Sequence, residues 1–162
     1  MIKVVGDKAV SELEIERSSR DNELAFSWSS IPYSSSANDT ILIVRNTSST
    51  YKLYITDVHI NVGATASRMD IHLVTADYTS AGTAVTGVNL RSGSSTSASA
   101  EAYADETGNS KGAILGYVYC AADTHTHMDM RGLTLIEDDA LGVDVIENSI
   151  SEVSVTITGY YR

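Results

Sequence analysis

From Leu24 onward the large apolar residues return at every second position, and no stretch shows the three-and-four spacing of an amphipathic helix. A period of two sends successive side chains to opposite faces of an extended strand. A chain made of such runs must bury one face of each against a second sheet. Leu24, Phe26 and Trp28 form one run, Met69, Ile71 and Leu73 another, then Leu141, Val143 and Val145, then Val153, Val155 and Ile157. Residues 41–44 and 113–120 are apolar on both faces and are expected in the middle of a sheet. Between Tyr51 and Val62 the apolar parity changes. Tyr51, Leu53 and Ile55 share one face and Val58, Ile60 and Val62 the other, which predicts a bulge near Thr56–Asp57.

Eight to ten such strands, in a chain of 162 residues with no linker, predict one all-β domain. The expected architecture is an antiparallel β-sandwich, jelly-roll-like, over residues 21–162. Residues 1–20 are expected to form an extended N-terminal arm. There Leu13 and Ile15 alternate with Glu12, Glu14 and Glu16, and the like charges discourage edge pairing. Gly82 to Leu90 reads as a strand and Leu133–Ile136 as a short one. Ser92 to Ser110, with almost no large apolar residue, reads as a long loop.

The charge balance limits the partners. Eleven basic against 21 acidic residues give a net charge of −10, which argues against a nucleic-acid surface, because that affinity comes from Lys and Arg displacing counterions. No run of 18 apolar residues occurs, so no membrane partner is expected, and residues 1–7 lack the apolar core of a secretion signal. A single cysteine, Cys120, excludes an internal disulfide and reads as a buried thiol at the end of an apolar strand.

Residues with catalytic chemistry are few. There is no Gly-x-Ser-x-Gly elbow and no phosphate-binding Gly-rich loop, and Asp138–Asp139 reads as a solvated turn. No catalytic residue and no cofactor are expected. His125, His127 and Asp129 would share one face of a strand, and two imidazoles with a carboxylate can hold a transition metal. A polar loop or edge strand without metal is the plainer reading of the same residues. Nine tyrosines could stack on sugars, but Tyr51, Tyr117 and Tyr119 alternate within strands and fit a core or an interface better.

The run Ala84-Val85-Thr86-Gly87-Val88-Asn89-Leu90, its Gly/Ser turn and the Ala-rich stretch 102–108 resemble a recurring pattern in structural proteins of tailed bacteriophages. The closing runs 133–136, 140–143 and 153–160, and residues 40–62, are similar to strands of the same jelly rolls. The resemblance implies a capsid decoration, or cement, protein: a homotrimer on the outer surface of the virion, assembled in the host cytoplasm and bound to the major capsid protein without turnover. The alternatives are a head fibre, a tail, baseplate or receptor-binding component, or a carbohydrate-binding β-sandwich. In an assembly of this kind the arm could add a strand to a neighbour. Leu13, Ile15, Trp28, Tyr51, Tyr54 and Tyr117 are then the candidate interface residues.

Overall fold

The computed structural model describes residues 2–5, 8–76, 82–106 and 110–162. The alternating runs form two antiparallel sheets packed face to face. In chain order the strands are β1 (Ile2–Val5), β2 (Lys8–Ser11), β3 (Ala25–Ser29), β4 (Tyr33–Ser35), β5 (Thr40–Asn46), β6 (Leu53–Val62) and β7 (Ser67–Ala76). They continue with β8 (Thr83–Ala84), β9 (Val88–Asn89), β10 (Ala100–Glu106), β11 (Ser110–Cys120), β12 (Thr124–Leu135), β13 (Ala140–Val145) and β14 (Ile150–Tyr161). One sheet runs β11-β7-β13-β5-β10-β8. The other runs β12-β6-β14-β3-β9, with β4 paired to β14.

Eight strands form the frame, and their pairing is nested. β3 pairs with β14, β5 with β13, β6 with β12 and β7 with β11. This is one long antiparallel ribbon folded at β7–β11 and then rolled, so that β14 meets β6 and β13 meets β7. It is the jelly-roll order. The inner faces supply Phe26, Trp28, Leu42, Val44, Ile55, Val58, Ile60, Met69, Ile71, Leu141, Val143, Val155 and Ile157, all buried in one core. The bulge expected near Thr56 is present. Register slips beside it on both flanking strands, and Met130, Arg131 and Gly132 of β12 lie opposite Thr56 alone. Leu53 and Ile55 before the slip, and Val58, Ile60 and Val62 after it, therefore all reach the same core.

Several expectations require correction. The extended arm is not what forms at residues 12–20. β1 and β2 pair as a hairpin, and Glu12–Asp21 is an α-helix, α1. The alternation of Leu13 and Ile15 is outweighed by helix signals. Ser11-x-x-Glu14 is a capping-box pattern, Glu12 and Glu14 fall in the first turn where the dipole favours acids, and Arg20 falls in the last. Ile15 and Ser19, one turn apart, form the face turned inward. The loop assigned to Ser92–Ser110 contains β10, which pairs with β5 over six residue pairs. Its inward residues include Ala102 and Ala104, too small to register as an apolar run. Gly82–Leu90 yields only the two-residue strands β8 and β9, and Leu133–Leu135 is the end of a 12-residue strand. The run 113–120 is not central: β11 is the last strand of its sheet.

Candidate functional site

The outer face of the β12–β6–β14 sheet carries a row of polar side chains. His125, His127 and Asp129 of β12 lie opposite Asn61, His59 and Asp57 of β6. The rings of His59 and His127 stack at 4.6 Å and those of His59 and His125 at 5.1 Å. His59 Nδ1 lies 3.0 Å from His125 Nε2, and His127 Nε2 lies 2.7 Å from Asp57 Oδ1. Partial burial and the His127 charge hold the pKa of His59 below the ordinary imidazole value, with His125 adding to this and Asp57 opposing it. Burial pushes the Asp57 carboxyl up, but the hydrogen bonds from His127 and Thr56 and the charges of His127 and Arg131 outweigh it and leave it lowered. Asp129 does not join the histidines. Its carboxylate accepts from Arg131 Nη1 at 2.7 Å and from the Arg131 amide at 3.0 Å.

Helix α1 borders this row. Glu16 accepts from Arg131 Nε at 2.9 Å, which ties the helix to β12. Between helix and sheet lies a cavity of about 240 Å³ lined by Glu16, Arg20, Asp57, His59 and Thr158. A second cavity, about 260 Å³, lies where Ile15 faces Tyr54 and Tyr160, whose rings stack at 5.4 Å.

The opposite sheet buries a second charged group. On its outer face Lys111 of β11 places Nζ 2.9 Å from Asp70 Oδ2 and 3.0 Å from Asp144 Oδ2. His72 Nε2 lies 3.0 Å from Asp144 Oδ1. Asp70, His72 and Asp144 are all buried. They could ligate a cation by proximity alone. The Lys111 ammonium already stands between the two carboxylates, so a cation of the protein's own holds the place a metal would take. Burial alone would lower the pKa of His72, but the hydrogen bond and charge of Asp144, the Leu73 carbonyl and Asp70 raise it overall. For Asp144, burial is likewise outweighed by His72 and Lys111, and its pKa is lowered.

The third feature is the β11 edge. Tyr117 and Tyr119, on the outer face, are 62% and 64% exposed, and Leu115 is exposed with them. Ile114, paired with His72 across a register slip, is exposed on that same face, while on the inner face Val118 with Met128 and Met130 of β12 is only partly buried against the core. Exposed apolar side chains thus crowd the outer face of a strand that, among the described residues, has a sheet neighbour on one side only.

The candidates from sequence fall in different places. His125 and His127 do come together, joined by His59 and Asp57, which the reading of β12 alone did not reach. The missing signal was the cross-strand register, since His59 and Asp57 lie some 70 positions away in β6. Trp28 is fully buried between the sheets and offers no surface to a partner. Ile15 of α1 and Tyr54 of β6 are half-buried where helix and sheet meet, whereas Leu13, Tyr51 and Tyr117 are exposed. Tyr54 and Tyr117 lie on outer faces of opposite sheets, so the six do not make one surface. Cys120 is buried and its thiol pKa is pushed up by that burial. No described helix is long and apolar enough to cross a membrane. Compared with protein-family models, curated proteins and solved structures, the chain matches none.

Proposed function

We propose that this is a structural binding protein of a virus particle, a capsid decoration protein. It associates with two copies of itself and attaches to the outer surface of the major capsid shell, and it works by occupancy and not by turnover. The observation that carries the reading is the β11 edge. A monomer pays for a cluster of exposed apolar side chains along an edge strand with unburied surface and with a risk of uncontrolled pairing. Soluble chains blunt such edges with charge. This one places Ile114, Leu115, Tyr117 and Tyr119 there, the residue types that a subunit interface buries. The jelly roll is a recurrent scaffold of viral shells, which supports the reading at the level of fold analogy. A net charge of −10 suits a surface turned away from packaged nucleic acid.

Sedimentation velocity on the purified chain tests the self-association. The expected species has three times the 17.3 kDa chain mass. Tyr117→Lys combined with Tyr119→Lys is expected to give a folded monomer with an unchanged circular dichroism spectrum. A wild-type chain that stays monomeric at micromolar concentration would overturn the trimer. Attachment is tested by adding the protein to undecorated capsids and measuring co-sedimentation and survival of heating. Saturable binding with improved survival is expected, and the absence of both would remove the decoration assignment.

A further inference from the structure

Three of the chain's four histidines meet at one point of the outer sheet face, and they meet a carboxylate there. We propose that Asp57, His59 and His127, with His125 alongside, form a binding site for one divalent transition cation of the zinc, cobalt and nickel class.

The donor set fits that class. Imidazole nitrogen with carboxylate oxygen is a preferred environment for these ions, and it lacks the all-oxygen character that calcium or magnesium requires. The donors come from two adjacent strands in fixed register. His59 and His127 are direct cross-strand partners, and Asp57 lies two positions along β6 on the same face. One ligand atom from each of Asp57, His59 and His127 already lies within 4.8 Å of the others. Ligands about 2.1 Å from a common ion sit roughly 3.4 Å apart in a tetrahedron, so the His59 and His127 rings, now stacked at 13°, must turn about their side-chain torsions to aim their nitrogens at one ion. Without the ion, single protons hold the same short approaches: one between His127 Nε2 and Asp57 Oδ1 at 2.7 Å, one between His59 Nδ1 and His125 Nε2 at 3.0 Å. A divalent cation would take the place of these protons.

The surroundings match an orienting shell. Thr158 Oγ1 approaches the other Asp57 oxygen at 3.4 Å and turns the carboxylate. The His127 side chain is about half exposed, which leaves an entry path, and the neighbouring cavity beside Glu16 and Arg20 leaves room for a water at the remaining position. The buried Asp70–His72–Asp144 cluster does not compete, because Lys111 occupies its centre.

The test uses the full-length chain stripped with a chelator and titrated with Zn²⁺ by calorimetry and with Co²⁺ by visible absorption. One ion per chain is expected, with the intense visible bands of low-coordinate cobalt. His127→Gln and Asp57→Asn are each expected to weaken binding roughly tenfold or more. Both side chains lie on the outer face, so thermal melts should confirm that the variants fold. A readout independent of any variant is the proton NMR of the wild-type imidazoles under Co²⁺ titration: His59 and His127 shift strongly, His125 shifts with them, and His72 does not. Absence of saturable binding, or cobalt shifts centred on His72, would overturn the site. So would undiminished affinity in folded variants.

Discussion

Trp28 is the largest fully buried side chain, and its ring contacts Phe26 at a centroid distance of 6.1 Å. Around it the fit is tight enough to exclude a methyl group. A Cβ on Gly87 would lie 2.5 Å from Trp28 Nε1, so glycine is required there for close approach and not for an unusual backbone angle. Trp28→Ala is expected to destabilise the fold by roughly 3–5 kcal/mol, from lost transfer energy plus the cavity left behind. Urea unfolding followed by circular dichroism measures this, since the substitution removes the chain's single tryptophan fluorophore. The Lys111–Asp70–Asp144–His72 network gives a second prediction. Asp144→Asn leaves Lys111 and His72 short of one buried partner and should cost roughly 3 kcal/mol near pH 6. The pH dependence follows from the two shifts. His72 has a raised pKa in the folded chain, so its contribution is complete below its unfolded value of about 6.5 and fades as pH rises through the folded value. Asp144 has a lowered pKa, so its contribution is complete above about 3.9 and fades as pH falls through the folded value. The stability gap between wild type and Asp144→Asn should be widest between those limits and narrow on both sides, as read from urea midpoints across pH.

At the scale of elements, β11 and α1 show how local pattern and final position separate. β11 reads as a central strand because its run is almost wholly apolar, yet among the described strands it stands at the end of its sheet. The proposed subunit contact would resolve that conflict, and the Tyr117 and Tyr119 variants test it. α1 was legible in its capping and charge pattern but hidden by two alternating apolar residues, and ten residues hold too few turns for helical periodicity to stand out. The bulge at Thr56 was legible because a phase change in a period of two has no other remedy. β10 was not, since alanine counts weakly as a strand residue even where it packs against the core.

For the whole molecule, the nested ribbon places the longest-range pairing, β3 with β14, between segments more than 120 residues apart. Among the residues whose burial is described, the buried hydrophobic core begins at Ala25. Removing residues 1–20 is therefore expected to leave a cooperatively folded sandwich. It loses the Glu16–Arg131 pair and the cover Ile15 provides, together worth about 1–2 kcal/mol. Thermal denaturation of the truncated chain checks this, and loss of a single sharp transition would show that the segment belongs to the fold's nucleus. On capsids the same truncation should lower occupancy if the N-terminal segment takes part in attachment.

Alternation along the chain determined by itself that the protein is a two-layered β structure, where its main strands run and where one of them bulges, because side-chain parity is a local property of extended backbone. It also put His125 and His127 on one face. Tertiary structure decided which strands are neighbours, that a central-looking strand ends at an edge, and that His59 and Asp57 complete the histidine group. These depend on contacts between residues far apart in sequence, and no local pattern records which distant strand supplies the partner.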